Sequence, residues 1–290
     1  MLNFFAILIL AAIQGACELL PVSSSAHVIV AEKIMGLDPS SPEMTLFLVM
    51  LHTGTMLAVI VFFWNSWKES YFASKAVFFE SLKYMIVATI ATGMVGLLLK
   101  VFVEKVLLKG VQHAEIELLF GNLNFIAAAL AAAGVLILWA GYQEFLPSKE
   151  DNQRLGVKAA GLIGLVQGIC LPFRGFSRSG ATISTGLLLG IEKKRVEDFS
   201  FALAVILTPP VVAREMLRFF KAQHVVAVHH ASMLGLLLPS LTGMAMSFVA
   251  GVLALKWLSS WLEAGRWYWF GLYCLLAAVI IFFLHCQYII

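Results

Sequence analysis

Six long apolar stretches alternate with short polar segments along the chain. Each is close to the roughly 20 residues that a helix needs to cross a bilayer. Tryptophans such as Trp64, Trp257 and Trp267 stand at their ends, as is typical of the membrane–water interface. The pattern predicts an all-α polytopic membrane protein with six spanning helices. The stretches are 45–64, 84–99, 118–142, 199–217, 234–257 and 267–285.

Two further pairs of apolar segments are too short or only barely long enough to span. The first pair is 4–20 and 26–37, and the second is 157–171 and 180–191. Proline and serine interrupt each pair, which predicts a re-entrant helical hairpin that enters and leaves the membrane on the same side. Irregular backbone at membrane depth is tolerated only where protein or a wet cavity covers it. The two broken tips are therefore expected to face each other inside the protein.

The two hairpins are similar to each other in sequence. Gln14 matches Gln167, and after one inserted residue Ser23 pairs with Ser177. Each repeat would hold one hairpin and three spans, and an odd number of spans predicts an inverted-topology repeat, as in many transporters. We therefore expect a single integral membrane domain over 1–290 with a composite site at the repeat interface. Its parts are repeat 1 (about 1–142), a linker (about 143–156) and repeat 2 (about 157–290).

Composition narrows the class of protein. The chain is 61% hydrophobic and only 13% charged, which is too few charges for a soluble domain of 290 residues. The net charge of +3 is too small to indicate a nucleic-acid partner. The four cysteines lie in apolar runs and are interpreted as packing residues. Lysine and arginine are more frequent in the loops at one end of the predicted spans, which indicates the cytoplasmic side and places both termini outside.

Glu18 is the first candidate for chemistry, because a carboxylate at membrane depth is costly and usually functional. Gln14 stands four residues earlier, so the two side chains share one face of the first hairpin helix. Two oxygen-bearing side chains at this spacing are candidate ligands for a hard divalent cation. The alternative is a solvated, interfacial glutamate beside a proline turn.

Three serines follow Pro21 and precede a short helix. One of them is explained as a helix N-cap, and exposed amides at a helix N-terminus also bind phosphate. Ser24 is a candidate nucleophile, with His27 as a candidate base three residues later. The alternative for His27 is a histidine that is simply hydrogen-bonded on an apolar helix.

Arg178 is the main candidate for binding an anion, because arginine offers a rigid fork of donors that matches phosphate oxygens. Nearby glycines let the backbone approach a ligand closely. Arg174 is expected to bind an outer phosphate or to lie in the headgroup plane. The residues assigned to substrate binding are Ser23, Ser25, Arg174, Gly175, Ser177, Ser179 and Thr182.

At these two motifs, 14–27 and 175–182, the chain resembles the bacterial undecaprenyl-pyrophosphate phosphatase family, also called the bacitracin-resistance protein family. The resemblance covers nearly the whole length. Two positions depart from the family pattern. Gln14 stands where the family often has glutamate, and Phe173-Arg174-Gly175 stands where many members have proline directly before the glycine.

The resemblance implies an integral membrane enzyme, a phosphoric anhydride hydrolase that removes the terminal phosphate of undecaprenyl diphosphate. The product, undecaprenyl phosphate, carries cell-wall precursors. The resemblance also implies dependence on Mg or Ca and a site in the inner membrane that opens to the periplasmic side. By position, the family's catalytic serine falls on Ser24, its histidine on His27, its carboxylate on Glu18 and its arginine on Arg178. Oligomeric state stays open, with a homodimer as one alternative.

A transporter or flippase of an anionic phospholipid is the rival function, since the inverted repeat supports it equally well. The candidate nucleophile and base separate the two, because a carrier has no need of them together. Within the enzyme, two mechanisms stay open. Either Ser24 attacks phosphorus while His27 takes its proton, or His27 or Glu18 activates water and Ser24 only binds.

Overall fold

The computed structural model describes residues 3–38, 42–107, 121–143, 155–225 and 233–287. Within these ranges it contains ten α-helices and no strand, which confirms the all-α class. The helices are α1 (Phe4–Leu19), α2 (Ser24–Ile34), α3 (Pro42–Tyr71), α4 (Lys75–Phe102), α5 (Leu123–Gln143), α6 (Val157–Cys170), α7 (Arg178–Leu188), α8 (Lys193–Val225), α9 (Met233–Glu263) and α10 (Tyr268–Cys286).

Five helices are long and apolar enough to cross a membrane, and they match five of the six predicted spans. The sixth predicted span, 199–217, lies inside α8, a 33-residue helix that is not among the five. Nearly all of the predicted linker lies outside the described residues. The five spans are Met44–Tyr71, Lys75–Val106, Leu123–Gln143, Leu237–Glu263 and Tyr268–Cys286.

The outer faces of the spans are apolar. Only 22% of the most apolar window of Lys75–Val106 is buried inside the protein, and Leu97 and Leu98 are 64% and 66% exposed. A soluble monomer rarely leaves so large an apolar surface to water. These faces therefore fit a lipid environment, as expected of a multi-pass membrane protein.

Two pairs of short helices stand apart from the spans. α1 has 16 residues and α6 has 14, so at 1.5 Å per residue they are about 24 and 21 Å long, less than the ~30 Å hydrocarbon core. α1 ends at Leu19 because the residue before Pro21 must be extended, and Leu20 has φ −69° and ψ 151°. α2 and α7 follow, each of 11 residues.

Close helix contacts at two matched glycines place the first helix of each short pair. A Cβ on Gly15 would lie 2.6 Å from Cβ of Ala250, so α1 packs tightly on α9. A Cβ on Gly168 would lie 2.8 Å from the carbonyl oxygen of Thr92, so α6 packs tightly on α4. Each first helix therefore rests on a long helix of the other half of the chain. The α5–α10 and α3–α8 contacts join the halves in the same way.

Candidate active site

A cavity of about 200 Å³ lies where the loop between α1 and α2 meets the loop between α6 and α7. Both loops contribute to its wall, together with one residue of α3. The lining residues are Cys17, Glu18, Ser23, Ser24, Ser25, His52, Cys170, Phe173, Arg174, Phe176, Ser177, Arg178 and Ser179. The structure thus brings most of the predicted site residues together.

An ion pair between the two halves crosses this cavity. Nη2 of Arg178 donates to Oε1 of Glu18 at 3.4 Å, and both side chains are only 22% exposed. Nη1 of Arg178 is buried and has no hydrogen-bond partner within the described residues. A buried donor without a partner is unfavourable, so the guanidinium retains capacity for an anionic ligand.

The second oxygen of Glu18 accepts two further hydrogen bonds. Oγ of Ser24, the first residue of α2, donates to Oε2 at 2.5 Å. Nε2 of Gln14 donates to the same oxygen at 3.2 Å, as expected for two side chains on one helix face. The hydroxyl of Ser24 therefore points its proton at a carboxylate, which is the arrangement that activates a serine nucleophile.

His27 has other partners. Its Nδ1 lies 2.8 Å from the carbonyl oxygen of Ser23, which can only accept, so Nδ1 carries the proton. Its Nε2 then accepts from the hydroxyl of Tyr273 at 2.7 Å, and the two rings stack with centroids 5.7 Å apart. His27 is not among the residues that line the cavity. Within the described residues no hydrogen bond joins His27 to Ser24, and the role of His27 as a base stays a prediction.

Gly175, three residues before Arg178, lets the two loops approach each other closely. N–H of Gly175 donates to Oγ of Ser25 at 3.3 Å. Gly175 has φ +102°, and a Cβ there would lie 2.4 Å from the carbonyl oxygen of Ile126. Only glycine fits a left-handed backbone at such a close approach.

Hydroxyls also cap the two short helices. Oγ of Ser23 accepts from Ala26 N–H at the start of α2, with Ser23 itself at φ +66°. Oγ of Ser177 accepts from Gly180 N–H at 3.2 Å at the start of α7. Both helix N-termini border the cavity, and their amides favour a negatively charged ligand.

Three remaining predicted residues differ in how near they lie to the cavity. Ser179 lines it and donates to Leu20 O at 3.2 Å, which again ties the two halves. Thr182 does not line the cavity, since its hydroxyl is buried at 2.6 Å from that of Ser200. Arg174 lines the cavity, is exposed, and interacts electrostatically with the buried carboxylate of Glu32.

Sequence reasoning missed His52. This residue lies in α3, and its Nε2 is 3.7 Å from Oε2 of Glu18 at the cavity wall. The available signal was a histidine inside an apolar span, since an ionisable residue in a membrane segment indicates function by default. Its proximity to Glu18 depends on how α3 packs on α1, which no local pattern shows.

Comparison with known proteins identifies the family of this chain. The family model described as bacitracin resistance protein BacA matches residues 7–280. Undecaprenyl-diphosphatase 2 of Acinetobacter baylyi is 57% identical over 273 residues, covering 93% of each chain. Undecaprenyl-diphosphatase 1 of Burkholderia pseudomallei is 33% identical, with 96% of this chain and 95% of that protein covered. Undecaprenyl-diphosphatase of Bacteroides thetaiotaomicron is 31% identical, with 94% and 95% covered. The chain belongs to the bacitracin resistance protein BacA family.

Proposed function

We propose that this protein is an undecaprenyl-diphosphatase of the bacterial inner membrane. It hydrolyses the terminal phosphate of undecaprenyl diphosphate, a prenyl lipid, and returns undecaprenyl phosphate to the cell-wall lipid carrier cycle. Peptidoglycan synthesis, cell shape and bacitracin resistance would depend on this recycling. The observation that carries the proposal is the Ser24 hydroxyl, which donates to Glu18 at 2.5 Å beside the guanidinium of Arg178.

The geometry favours Ser24 as nucleophile and Glu18 as proton acceptor. Oγ of Ser24 forms a bond to the terminal phosphorus while its proton passes to Oε2 of Glu18. The bond from that phosphorus to the bridging oxygen breaks, and its electron pair leaves with undecaprenyl phosphate. Arg178 stabilises the charge that spreads over the phosphoryl oxygens, which is the main task in phosphoryl transfer. Water then releases phosphate from the serine.

Two alternative mechanisms assign the chemistry to other residues. For His27 to act as the base, its Nε2 must leave the hydroxyl of Tyr273. Alternatively, Glu18 activates water directly and Ser24 only binds the phosphate. Retention of slow turnover without the Ser24 hydroxyl would favour the water route.

A divalent cation, Mg or Ca, remains part of the proposal. Glu18 and Gln14 would hold it, since a carboxylate offers the oxygen ligands that Mg and Ca prefer and Gln14 lies beside it, with Nε2 3.2 Å from Oε2 of Glu18. The amide of Gln14 presents its oxygen instead of its nitrogen after a half-turn. When bound, the cation would supply positive charge to the phosphate oxygens. One carboxylate alone makes a weak cation site, so substrate phosphate would complete it.

The inverted repeat and the re-entrant hairpins belong to the same proposal. Two observations support them: α1 and α6 are too short to span, and each packs on a long helix of the other half. The cavity is then expected to open to the periplasmic side. Labelling of Cys17 or Cys170 by a membrane-impermeant thiol reagent in whole cells, compared with inverted vesicles, tests that orientation. A homodimer stays an alternative for oligomeric state.

Phosphate release tests the function directly. Purified protein in detergent is given a long-chain prenyl diphosphate, with and without Mg or Ca, beside an Arg178→Ala variant. We expect cation-dependent release that the variant loses. A folded wild type that binds the lipid but releases no phosphate under any cation would favour the flippase.

A further inference from the structure

We propose that His27 and Tyr273 are positioning residues that hold the strained turn at Ser23. That turn directs the hydroxyl of Ser24 to Glu18, which the proposed mechanism uses as its proton acceptor. The inference rests on the proposed function, and it gives His27 a role other than that of a base.

Ser23 has an unfavourable backbone conformation. Its φ is +66° and its ψ is 98°, and among the described residues it is the only non-glycine residue with a positive φ. Residues with a Cβ rarely adopt positive φ, and such a conformation persists only when surrounding contacts hold it. Ser24 follows directly as the first residue of α2, so the contacts that hold Ser23 also fix where the Ser24 hydroxyl points.

The carbonyl group of Ser23 accepts two hydrogen bonds from His27. The backbone N–H of His27 donates at 3.5 Å, and Nδ1 of its ring donates at 2.8 Å. A carbonyl oxygen can only accept, so Nδ1 carries the ring proton. This carbonyl belongs to the peptide that joins Ser23 to Ser24. The ring of His27 therefore fixes the orientation of the peptide that precedes the nucleophile.

Tyr273 of α10 fixes the other side of the imidazole ring. Nε2 of His27 accepts from the Tyr273 hydroxyl at 2.7 Å, and the two rings stack at an interplanar angle of 13°. The next residue, Cys274, donates from Sγ to the carbonyl oxygen of Pro21 at 3.3 Å. α10 therefore supports both the loop between α1 and α2 and the first turn of α2.

The second copy of the motif lacks this arrangement and has no strained turn. Ser177, the counterpart of Ser23, has φ −57° and ψ 115°. The counterpart of His27 is Ala181, which reaches the Ser177 carbonyl oxygen through its backbone N–H at 2.9 Å and has no side-chain donor. The side-chain donor is thus present beside the strained turn and absent beside the relaxed one. A positioning role explains this difference between the copies.

A general base at His27 is the competing explanation. It requires Nε2 to leave Tyr273 and to reach the Ser24 hydroxyl, which already donates to Glu18 at 2.5 Å. The two explanations predict opposite effects when the Tyr273 hydroxyl is removed. Its loss frees Nε2 of a base, but it loosens the ring of a positioning residue.

Phosphate release by Tyr273→Phe separates the two explanations. The full chain in detergent is given a long-chain prenyl diphosphate, and kcat and KM are determined separately. We expect kcat to fall about 10- to 100-fold while KM and Tm stay unchanged, because a misplaced nucleophile lowers the rate of the chemical step. Tyr142→Phe, at an exposed tyrosine of α5 that does not line the cavity, serves as the control.

Two substitutions of His27 test the hydrogen bond to Ser23. The amide nitrogen of asparagine lies as many bonds from Cα as Nδ1 does, whereas that of glutamine lies one bond further, as Nε2 does. We expect His27→Asn to keep kcat within about tenfold of the wild type and His27→Gln to lose about 10²-fold. If His27 is a base, both variants should lose about 10²–10⁴-fold, since an amide takes up no proton near neutral pH.

A kcat of Tyr273→Phe equal to or above that of the wild type would overturn the inference, as would equal activities of His27→Asn and His27→Gln. If a His27 variant fails to fold, Tyr273→Phe decides, because that change removes one oxygen from a residue that is 45% exposed. A wild type that releases no phosphate would overturn the proposed function and this inference with it. An active wild type with a faster Tyr273→Phe variant would overturn this inference alone.

Discussion

The two pairs of short helices, α1–α2 and α6–α7, are similar in sequence but carry different functional groups at the start of their second helix. In the register that pairs Ser23 with Ser177, Ser24 falls on Arg178, and each is the first residue of its helix. One copy therefore places a hydroxyl at the helix N-terminus, and the other places a guanidinium there. The two copies therefore differ at the position where the proposed nucleophile and the proposed phosphate-binding arginine stand.

The residues that contact Ser24 and Arg178 also differ between the two copies. Glu18 has Leu171 as its counterpart, so only the first copy carries the carboxylate that accepts from Ser24. Arg178 then neutralises that carboxylate across the interface at 3.4 Å. Either charge alone at membrane depth would be costly, so each half is favourable only when the other is docked.

Removal of the hydroxyl should have the largest effect. We expect Ser24→Ala to reduce phosphate release to background, because no other group then forms the bond to phosphorus. Binding of the prenyl diphosphate should remain, since Arg178 is unchanged. Turnover is measured by phosphate release and binding by calorimetry. Residual turnover clearly above background would instead favour water activated by Glu18. Ser260→Ala, at an exposed serine of α9 that does not line the cavity, serves as the control.

Removal of the Arg178 guanidinium should have the second-largest effect on turnover. Arg178→Ala is expected to lower kcat/KM about 10³-fold or more, as loss of an arginine on a transferring phosphoryl group does. Arg195→Ala is the matched control, because Arg195 forms a solvent-exposed ion pair with Glu192 at 3.0 Å. A loss under about tenfold would show that Arg178 is a structural partner of Glu18. Arg178→Lys should recover only part of the rate, since it lacks the planar fork.

The matched glutamines offer a sharper contrast. Gln14→Glu adds a carboxylate beside Glu18 and should lower the cation concentration for half-maximal activity about tenfold, a gain of roughly 1.4 kcal/mol. Gln167→Glu is expected to act on stability instead. Gln167 is fully buried and its Nε2 donates to Thr92 at 3.2 Å, so the change leaves an unsatisfied buried group worth about 1–3 kcal/mol. A cation titration and a thermal melt of both variants check this, and equal effects on both readouts would contradict the asymmetry.

The smallest predicted effect concerns the second loop. Gly175→Ala should lower stability by about 1–3 kcal/mol, because its Cβ would strike Ile126 and its φ of +102° is strained for alanine. Gly93→Ala is the control, since nothing lies within 4 Å of its added Cβ in α4. Thermal unfolding in detergent compares the two. Equal melting temperatures would mean that the loop moves aside readily.

Much of this organisation is predictable from local pattern. Apolar length predicted five helices that the structure contains, and the break before Pro21 follows from the conformation of the residue that precedes a proline. The matched motifs around Glu18 and Arg178 indicated a composite site, and the structure pairs those two residues.

Other features depended on contacts between distant segments. His27 turns to Tyr273, 246 residues away, although Ser24 is only three residues off. His52 reaches Glu18 because α3 packs beside α1.

The sequence by itself determined the membrane class, the helical elements and the two polar tips, because hydrophobic length, prolines and caps act within a few residues. The tertiary structure alone decided which donor faces which acceptor. A side-chain hydrogen bond requires atoms within about 3.5 Å, and only helix packing sets that distance between residues far apart in the chain. The Ser24 hydroxyl thus donates to Glu18, whereas the sequence spacing had indicated His27 as its partner.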